Sequence, residues 1–255
     1  MTYISKSTTP LATLPIPSGP LFGLLTAARD QLVEDAATRG VEIAVSIDFA
    51  ELLEINERET ARGTWFPMLP ATNPAARHIH ADNGFWLRGT DPAGDVVTVQ
   101  AAVLYDCTGT SIGRRLADLS VFYDDPTRAP AGEWCDCRSP AAEATTGRAV
   151  LTCTGWTRPD LRGRRLFAVF HRVSRLVAWL RWQPDALWGV VDPDAVKAWS
   201  EAAMGPRHLD AEPTITYAQE GVGALDLRFL HFSRAQALGD LAVLAASAAA
   251  KVAAA

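Results

Sequence analysis

The stretch that decides the fold is residues 151–166, which read LTCTGWTRPDLRGRRL. Apolar residues in the segment 148–156 predict a strand. A turn containing Pro159 and Gly163 follows, and apolar residues then recur at helical spacing to about residue 182. The first amides of such a helix have no partner within it, and the helix dipole adds partial positive charge there. The stretch therefore predicts a strand, a turn that binds an anion, and a long helix.

Basic side chains concentrate in this same part of the chain. Seven arginines and one acid, Asp160, fall between residues 158 and 182, although the chain has a net charge of −5. The arginines are Arg158, Arg162, Arg164, Arg165, Arg172, Arg175 and Arg181. Such local charge in an acidic protein indicates contact with an anion. For the last three, an equally weighted alternative is that they solvate the outer face of the helix.

Outward from this stretch, hydrophobic periodicity predicts the other elements. Helices are expected over 21–39, after an N-cap at Asp48, and in a segment that ends near Gly205. Strands are expected over 41–47, 85–90, 96–105, 186–191, 214–218 and 224–232. Residues 107–147 are expected to be mobile, with one short strand at 119–123. This order predicts an α/β (α+β) fold, in which one mixed sheet carries helices on its faces.

Composition limits the class of protein. The 255 residues are 48% hydrophobic, which suffices for a sizeable core. We expect a flexible, Pro-rich N-terminus over 1–20 and a single domain over 21–255 with an added N-terminal helix. The negative net charge argues against nucleic-acid binding. The sequence has neither a long uncharged apolar run nor the apolar core of a signal peptide, so we expect a cytoplasmic protein with no membrane partner.

The segment Pro159–Arg164, PDLRGR, resembles the cofactor loop of the GNAT N-acetyltransferase superfamily, which reads Pro-x-Leu-Arg-Gly-Arg-Gly in many members. Sequence similarity is confined to about 150–205, and the order of elements matches from about 41 to 232. The resemblance implies a mostly antiparallel central sheet flanked by helices. It also implies that the strand before the loop is splayed from its neighbour, with the pantetheine arm of acetyl-CoA in the gap and the pyrophosphate on the loop amides.

The activity implied by the resemblance is transfer of an acyl group from acetyl-CoA, or another acyl-CoA, to an amine that attacks the thioester directly. Both the acyl donor and the amine acceptor are small molecules. Strand amides near 155–157 are expected to stabilise the oxyanion. The residues implied to bind the coenzyme are Gly155, Trp156, Thr157, Arg162, Gly163, Arg164, Arg165, Leu166 and Phe167. A homodimer formed through a sheet edge is left open.

The sequence departs from the family pattern at three points. Arg165 stands in place of the central glycine, and Phe167 stands in place of a glycine or alanine. Larger side chains at both positions should hinder close approach of the pyrophosphate. No tyrosine occurs near 199–205, where many relatives have a proton donor, and the nearest is Tyr217. The catalytic residues are therefore unassigned, and the alternative is a non-catalytic GNAT-like protein that binds a ligand or partner.

Other reactive side chains have weaker patterns. The four cysteines lack zinc-site spacing, and we interpret them as reduced thiols, with Cys153 as apolar filler. His78 and His80 form a two-residue-spaced pair without a clear third ligand, which favours a surface loop over a metal site. We expect His171 to be partly exposed on its helix. Nothing distinguishes Glu133 or Asp118 from other carboxylates as general bases.

Overall fold

The structure is a computed structural model that describes residues 7–254, including the side chains of 7–250. Its strands are β1 (Thr8–Pro10), β2 (Glu42–Ser46), β3 (Gly84–Thr90), β4 (Val96–Cys107), β5 (Trp134–Cys137), β6 (Gly147–Thr157), β7 (Ala186–Val191), β8 (His208–Leu209), β9 (Ile215–Gln219) and β10 (Gly223–Ser233). Its helices are α1 (Phe22–Ala37), α2 (Phe49–Ala61), α3 (Ile112–Ala117), α4 (Pro140–Ala144), α5 (Leu166–Trp182), α6 (Glu201–Met204) and α7 (Arg234–Ala254). Among the described helices, none combines the length and the apolar character needed to cross a membrane.

The strands form one sheet in the order β1-β2-β3-β4-β6-β7-β10-β9-β5, with β8 paired to β10. Neighbouring strands are antiparallel except β6 and β7, which are parallel. The long strand β10 changes partner along its length, because residues 228–233 pair with β7 and residues 223–227 pair with β9. The predicted fold class, a mixed and mostly antiparallel sheet flanked by helices, is confirmed.

Helices cover both faces of the sheet. Helices α1, α5 and α7 pack on the first face, where α5 buries the apolar stripe that its sequence predicts. The stripe consists of Leu166, Val169, Val173, Leu176 and Leu180. Helices α2, α3 and α4 lie on the second face, where buried side chains of the strands β5 and β9 also contribute to the core. The helix α2 begins at the expected N-cap, since the Asp48 carboxylate accepts hydrogen bonds from the amides of Ala50 and Glu51.

Two segments are more ordered than their sequences predict. In the expected flexible terminus, β1 pairs with β2, and Leu11 and Leu14 are buried against the first face. Residues 1–6 lie outside the described part of the chain. In the middle segment, the expected strand at 119–123 is instead a turn after α3. The turn residues of this segment suggest that it is mobile. Instead, Val121 and Phe122 are buried in the core of the second face and hold the segment in place.

The arginines of α5 do not solvate an outer face. The Arg175 guanidinium is 2% exposed and lies 2.5 Å from the carboxylate of Asp240, a residue of α7. Arg172 lies 3.0 Å from the same carboxylate, and Arg175 also donates to the carbonyl of Met204 in α6. Arg181 is buried and donates to the Ala81 carbonyl. The alternative that these arginines solvate the outer face of the helix is therefore wrong, because their charged groups bind α5 to neighbouring elements.

Candidate functional site

The strands β6 and β7 separate after a short parallel stretch. They pair at only three positions, from Ala149 opposite Ala186 to Leu151 opposite Trp188. Gly189 lies where the pairing ends, and a side chain there would come within 2.9 Å of the Thr152 carbonyl oxygen. Beyond this point the later residues of β6 have no partner in β7, which opens a gap between the two strands. The splayed strand expected before the loop is thus present.

A β-bulge interrupts β6 beside the gap. The register against β4 shifts between Val99, opposite Trp156, and Ala101, opposite Cys153, so that two residues of β6 lie opposite one of β4. Thr154 has a positive φ of 57°, an unusual conformation for a β-branched residue. Gly155, the other residue of the bulge, is exposed. A bulge leaves one residue outside the hydrogen-bond ladder, so it supplies backbone polar groups to the gap.

A buried threonine supports this bulge from the second face. The Thr72 hydroxyl lies 2.5 Å from the Thr154 hydroxyl. Thr72 is fully buried in a short 3₁₀ helix, and its hydroxyl also donates to the Leu69 carbonyl. These contacts explain how the strained residue Thr154 keeps its conformation, since surrounding structure must over-determine such a backbone.

The loop after β6 leads into α5 through two residues with positive φ. They are Gly163, with φ of 83°, and Arg165, with φ of 60°. Arg165 precedes the helix, and its side chain does not cap it. The first-turn amides of α5 are therefore available to an anion. The position where the family has a glycine keeps the left-handed backbone that favours glycine, although the residue is arginine.

A cationic cleft of about 660 Å³ lies at this end of α5. We use the name cationic cleft for the space lined by Arg39, Thr157, Arg162, Gly163, Arg165, Leu166, Phe167, Arg172, Lys197 and their neighbours. Arg39 donates to the Arg164 carbonyl, and Arg162 donates to the carbonyls of Thr157 and Thr64, so both side chains also hold the loop in place. The concentration of basic groups favours an anionic ligand.

An apolar cavity of about 310 Å³ occupies the gap between the strands. Its walls come from β6, β7, α5, the segment 66–69 and the β9–β10 hairpin, through Thr152, Cys153, Thr154, Gly155, Phe167, His171, Val190, Leu225, Leu227 and nearby residues. Phe167 lines both this apolar cavity and the cationic cleft. Its ring thus stands where the two spaces meet, and a side chain added at Gly155 would lie 4.0 Å from it.

His171 is buried in an aromatic cluster, in contrast to its expected exposure. Its ring packs edge to face with Phe167 at 4.4 Å and with Trp199 at 4.2 Å between centroids. The Gln100 side-chain amide lies 2.6 Å from the Nδ1 atom of His171. Burial, together with the positive charge of Arg175, holds the pKa of His171 well below its ordinary value. The imidazole is therefore neutral at physiological pH.

Other candidate reactive groups near the cavity are occupied or uncharged. Burial raises the pKa of the Cys153 thiol to about 11, so it is not a thiolate nucleophile at neutral pH. Tyr217 is fully buried and donates to the Glu133 carboxylate, as does Tyr123. This arrangement makes Tyr217 a poor substitute for the missing proton donor. The Glu133 carboxylate already accepts hydrogen bonds from both tyrosine hydroxyls.

The sequence-predicted site residues lie at four places in the structure. Thr157, Arg162, Gly163, Arg165, Leu166 and Phe167 line the cationic cleft, whereas Gly155 lines the apolar cavity. Arg164 is exposed, and its carbonyl rather than its side chain is held in the loop. The Trp156 indole stacks on Trp65 and lines a separate polar cleft beside α2. No pattern in the sequence points to Gly189 or Thr72, and His171 could have been recognised from its i,i+4 spacing to Phe167.

The remaining cysteine and histidine candidates lie elsewhere. All four cysteines are free thiols. The rings of His78 and His80 are 5.2 Å apart on an exposed loop, as the surface interpretation predicts. Within the described residues, no group of three or more His, Cys, Asp and Glu side chains is arranged to hold a metal ion.

We expect Arg165→Gly to stabilise the protein. An L-residue in the left-handed region costs about 1–2 kcal/mol, and the greater freedom of glycine in the unfolded chain offsets about half of that. The free energy of unfolding in urea should therefore rise by about 0.5–1 kcal/mol. Arg164→Gly is the matched control, because Arg164 is exposed without a positive φ and should lose stability. Equal losses in both variants would contradict this account of the loop.

Stability should fall as the pH drops below about 6.5, the ordinary histidine pKa. The unfolded chain then binds a proton that buried His171 does not, because its native pKa is lowered. The free energy of unfolding should decrease by up to about 1.4 kcal/mol per pH unit from this residue. His171→Gln should flatten this dependence between pH 5 and 7, whereas His78→Gln on the surface should not. An unchanged slope in His171→Gln would show that the ring is not buried as a neutral base.

No protein-family model matches this sequence, and no curated protein matches it. Among solved structures, the chain is similar to a mutant of the spermidine N-acetyltransferase SpeG from Vibrio cholerae, with 8% identity and a TM-score of 0.38 over 64% of this chain and 72% of that one. It is also similar to the aminoglycoside acetyltransferase AAC(6')-Ib in complex with coenzyme A and kanamycin, with 13% identity and a TM-score of 0.39 over 78% and 98%.

Because these TM-scores lie below 0.5, they transfer neither substrate nor mechanism to this chain. The strand order, the single parallel pair that separates after three positions and the loop before α5 are features of the chain itself. The fold of this chain is therefore described by its own topology, a mixed and mostly antiparallel sheet with one parallel pair that separates before the loop to α5.

Proposed function

We propose that this protein is an acyl-CoA-dependent N-acyltransferase that transfers an acetyl or longer acyl group to an amine. The observation that carries the proposal is the apolar cavity in the gap between β6 and β7, which reaches the exposed Gly155 of the bulge and shares Phe167 with the cationic cleft. An acyl-CoA has an anionic end, a slender neutral arm and a reactive thioester, in that order. The cleft, the gap and the bulge offer matching environments in the same order.

Charge and backbone geometry support pyrophosphate binding in the cationic cleft. The first amides of α5 lack a side-chain cap and point out of the helix end. Arg165 and Lys197 are exposed residues that line the same cleft. In this proposal their side chains supply charge that compensates for the bulk of arginine at the position of the family glycine.

The bulge supports the chemical step. Backbone N–H groups released from the ladder at Thr154 and Gly155 are suited to stabilise an oxyanion in a site with little water. Holding the amine beside the thioester supplies much of the rate by orientation alone. No residue is assigned as general acid or base, because the Tyr217 hydroxyl is hydrogen-bonded to the Glu133 carboxylate and the Cys153 thiol is protonated.

The partners under this proposal are a small-molecule acyl donor and an amine acceptor, and the compartment is the cytoplasm. In this proposal Thr154, Gly155, Thr157, Arg162, Gly163 and residues 165–167 hold the donor. A homodimer formed through a sheet edge stays a prediction, and the proposed reaction does not depend on it.

Phe167 favours a second candidate function, a non-catalytic GNAT-like protein that binds a different ligand or a partner. The ring packs between His171 and Trp199 and stands at the junction that the pantetheine arm must cross. It must turn aside for an acyl-CoA to bind. If it does not, the cationic cleft is closed off from the bulge and can hold only an anion.

Gly155→Val separates the two functions. The added branched side chain projects toward Phe167 in the gap, so it should weaken binding of CoA and acetyl-CoA at least tenfold by isothermal titration calorimetry. Gly155 has no positive φ, so valine introduces no backbone strain of that kind. Gly132→Val, at an exposed glycine with open space around it, is the matched control and should bind as the unaltered protein does.

Either of two results would contradict the acyltransferase proposal. The first is a folded, unaltered protein that binds neither CoA nor any acyl-CoA. The second is binding that Gly155→Val leaves unchanged, which would place the coenzyme outside the gap and support the second candidate function.

A further inference from the structure

We infer that the amine acceptor is an uncharged aromatic amine, which enters the apolar cavity from the second face of the sheet. This inference rests on the proposed function and specifies the substrate class of the same site. It follows from the walls of the cavity, from its rim and from the placement of the charged groups around it.

The cavity walls are apolar on the side away from α5. The apolar lining there includes Pro67, Leu69, Val190, Leu225 and Leu227. An aromatic or aliphatic body gains about 25 cal/mol for each Å² of apolar surface that it buries against such walls. A cationic chain gains nothing comparable there and loses its hydration.

The cavity opens to solvent on the second face through an apolar rim. Phe66 is 81% exposed, and Val222, across the opening in the β9–β10 turn, is 37% exposed. Both are among the few large hydrophobic side chains that the described surface exposes. This opening is separate from the cationic cleft, which lies beyond Phe167 on the first face. A second substrate can therefore reach the bulge without passing the coenzyme.

The threonine, glutamine and histidine side chains that line the cavity are hydrogen-bonded within the protein. Asp192, the one carboxylate among the lining residues, is exposed, and one of its oxygens accepts the amide of Asp194 as the cap of a 3₁₀ turn. The Thr152 hydroxyl donates to the Trp188 carbonyl, and Thr154 is bonded to Thr72. The Gln219 side-chain amide donates to the Met68 carbonyl. His171, which also lines the cavity, is neutral and supplies no negative charge to an ammonium group.

An aromatic amine suits this environment because its nitrogen is uncharged and nucleophilic at neutral pH. An aliphatic amine is protonated at that pH, so it must give up its hydration and a proton before it can attack inside apolar walls. In the reaction the amine nitrogen forms a C–N bond to the acyl carbon and the C–S bond of the thioester breaks. The amine loses one proton, and the departing thiolate gains one, through water.

The test compares two isomeric amines of equal size, p-toluidine and benzylamine, with acetyl-CoA as donor and thiol release as the readout at pH 7. We expect kcat/KM for p-toluidine to exceed that for benzylamine, and that for spermidine, at least tenfold. Phe66→Ala should raise the KM for p-toluidine about tenfold and leave the KM for acetyl-CoA unchanged. Phe22→Ala removes another exposed phenylalanine, on α1, and should change neither constant.

Preference for benzylamine or spermidine in a protein that binds acetyl-CoA would overturn this inference and leave the proposed function intact. The inference also fails if Phe66→Ala raises the KM of octanoyl-CoA and not that of the amine, because the cavity would then hold the acyl chain of the donor. Failure of the protein to bind any acyl-CoA would overturn the proposed function itself, and this inference with it.

Discussion

The parallel contact between β6 and β7 is the constraint on which the rest of the site depends. Pairing over three positions is enough to keep the two strands in one sheet, and its end at Gly189 allows them to diverge. A longer pairing would close the gap and bring the bulge of β6 into the interior of the sheet. Because the pairing is short, Gly155 stays exposed, and the cavity passes from one face of the sheet to the other.

The helix α5 has to be held rigidly for this gap to be useful. Its apolar stripe packs on the sheet, while Arg172 and Arg175 share the buried carboxylate of Asp240 on α7. Removing one member of a buried ion pair leaves an uncompensated charge, at a cost of about 3–5 kcal/mol. The arrangement therefore fixes the position of α5, and with it the first-turn amides, relative to the end of β6.

Much of the fold could be predicted from the sequence, because local patterns determine most of its elements. The alternation in β2, the cap at Asp48 and the stripe of α5 each depend on neighbours in sequence. The burial of the 119–123 segment and the pairing of β1 depend on contacts distant in sequence, which a local pattern does not contain. For the same reason the sequence leaves Arg175 open between contact with an anion and a solvated face, because its partner Asp240 lies 65 residues further along the chain.

The candidate site shows the same division. The turn at 159–166 and its positive charge are visible in the sequence, whereas the bulge, the neutral His171 and the apolar rim at Phe66 exist only after folding. The resemblance implies that Trp156 binds the coenzyme, whereas its indole, which follows the bulge, stacks on Trp65. A bulge shifts the alternation of a strand by one residue, and that shift cannot be read from the strand's own sequence.

We propose that the bulge of β6 and the first turn of α5 together bind an acyl-CoA. Hydrogen–deuterium exchange of the whole protein, measured with and without CoA, tests this proposal. CoA should slow exchange of the amides at 154–156 and 163–168 and have little effect on the edge strands β1 and β5. Protection confined to other surfaces, or no change at saturating CoA, would contradict it.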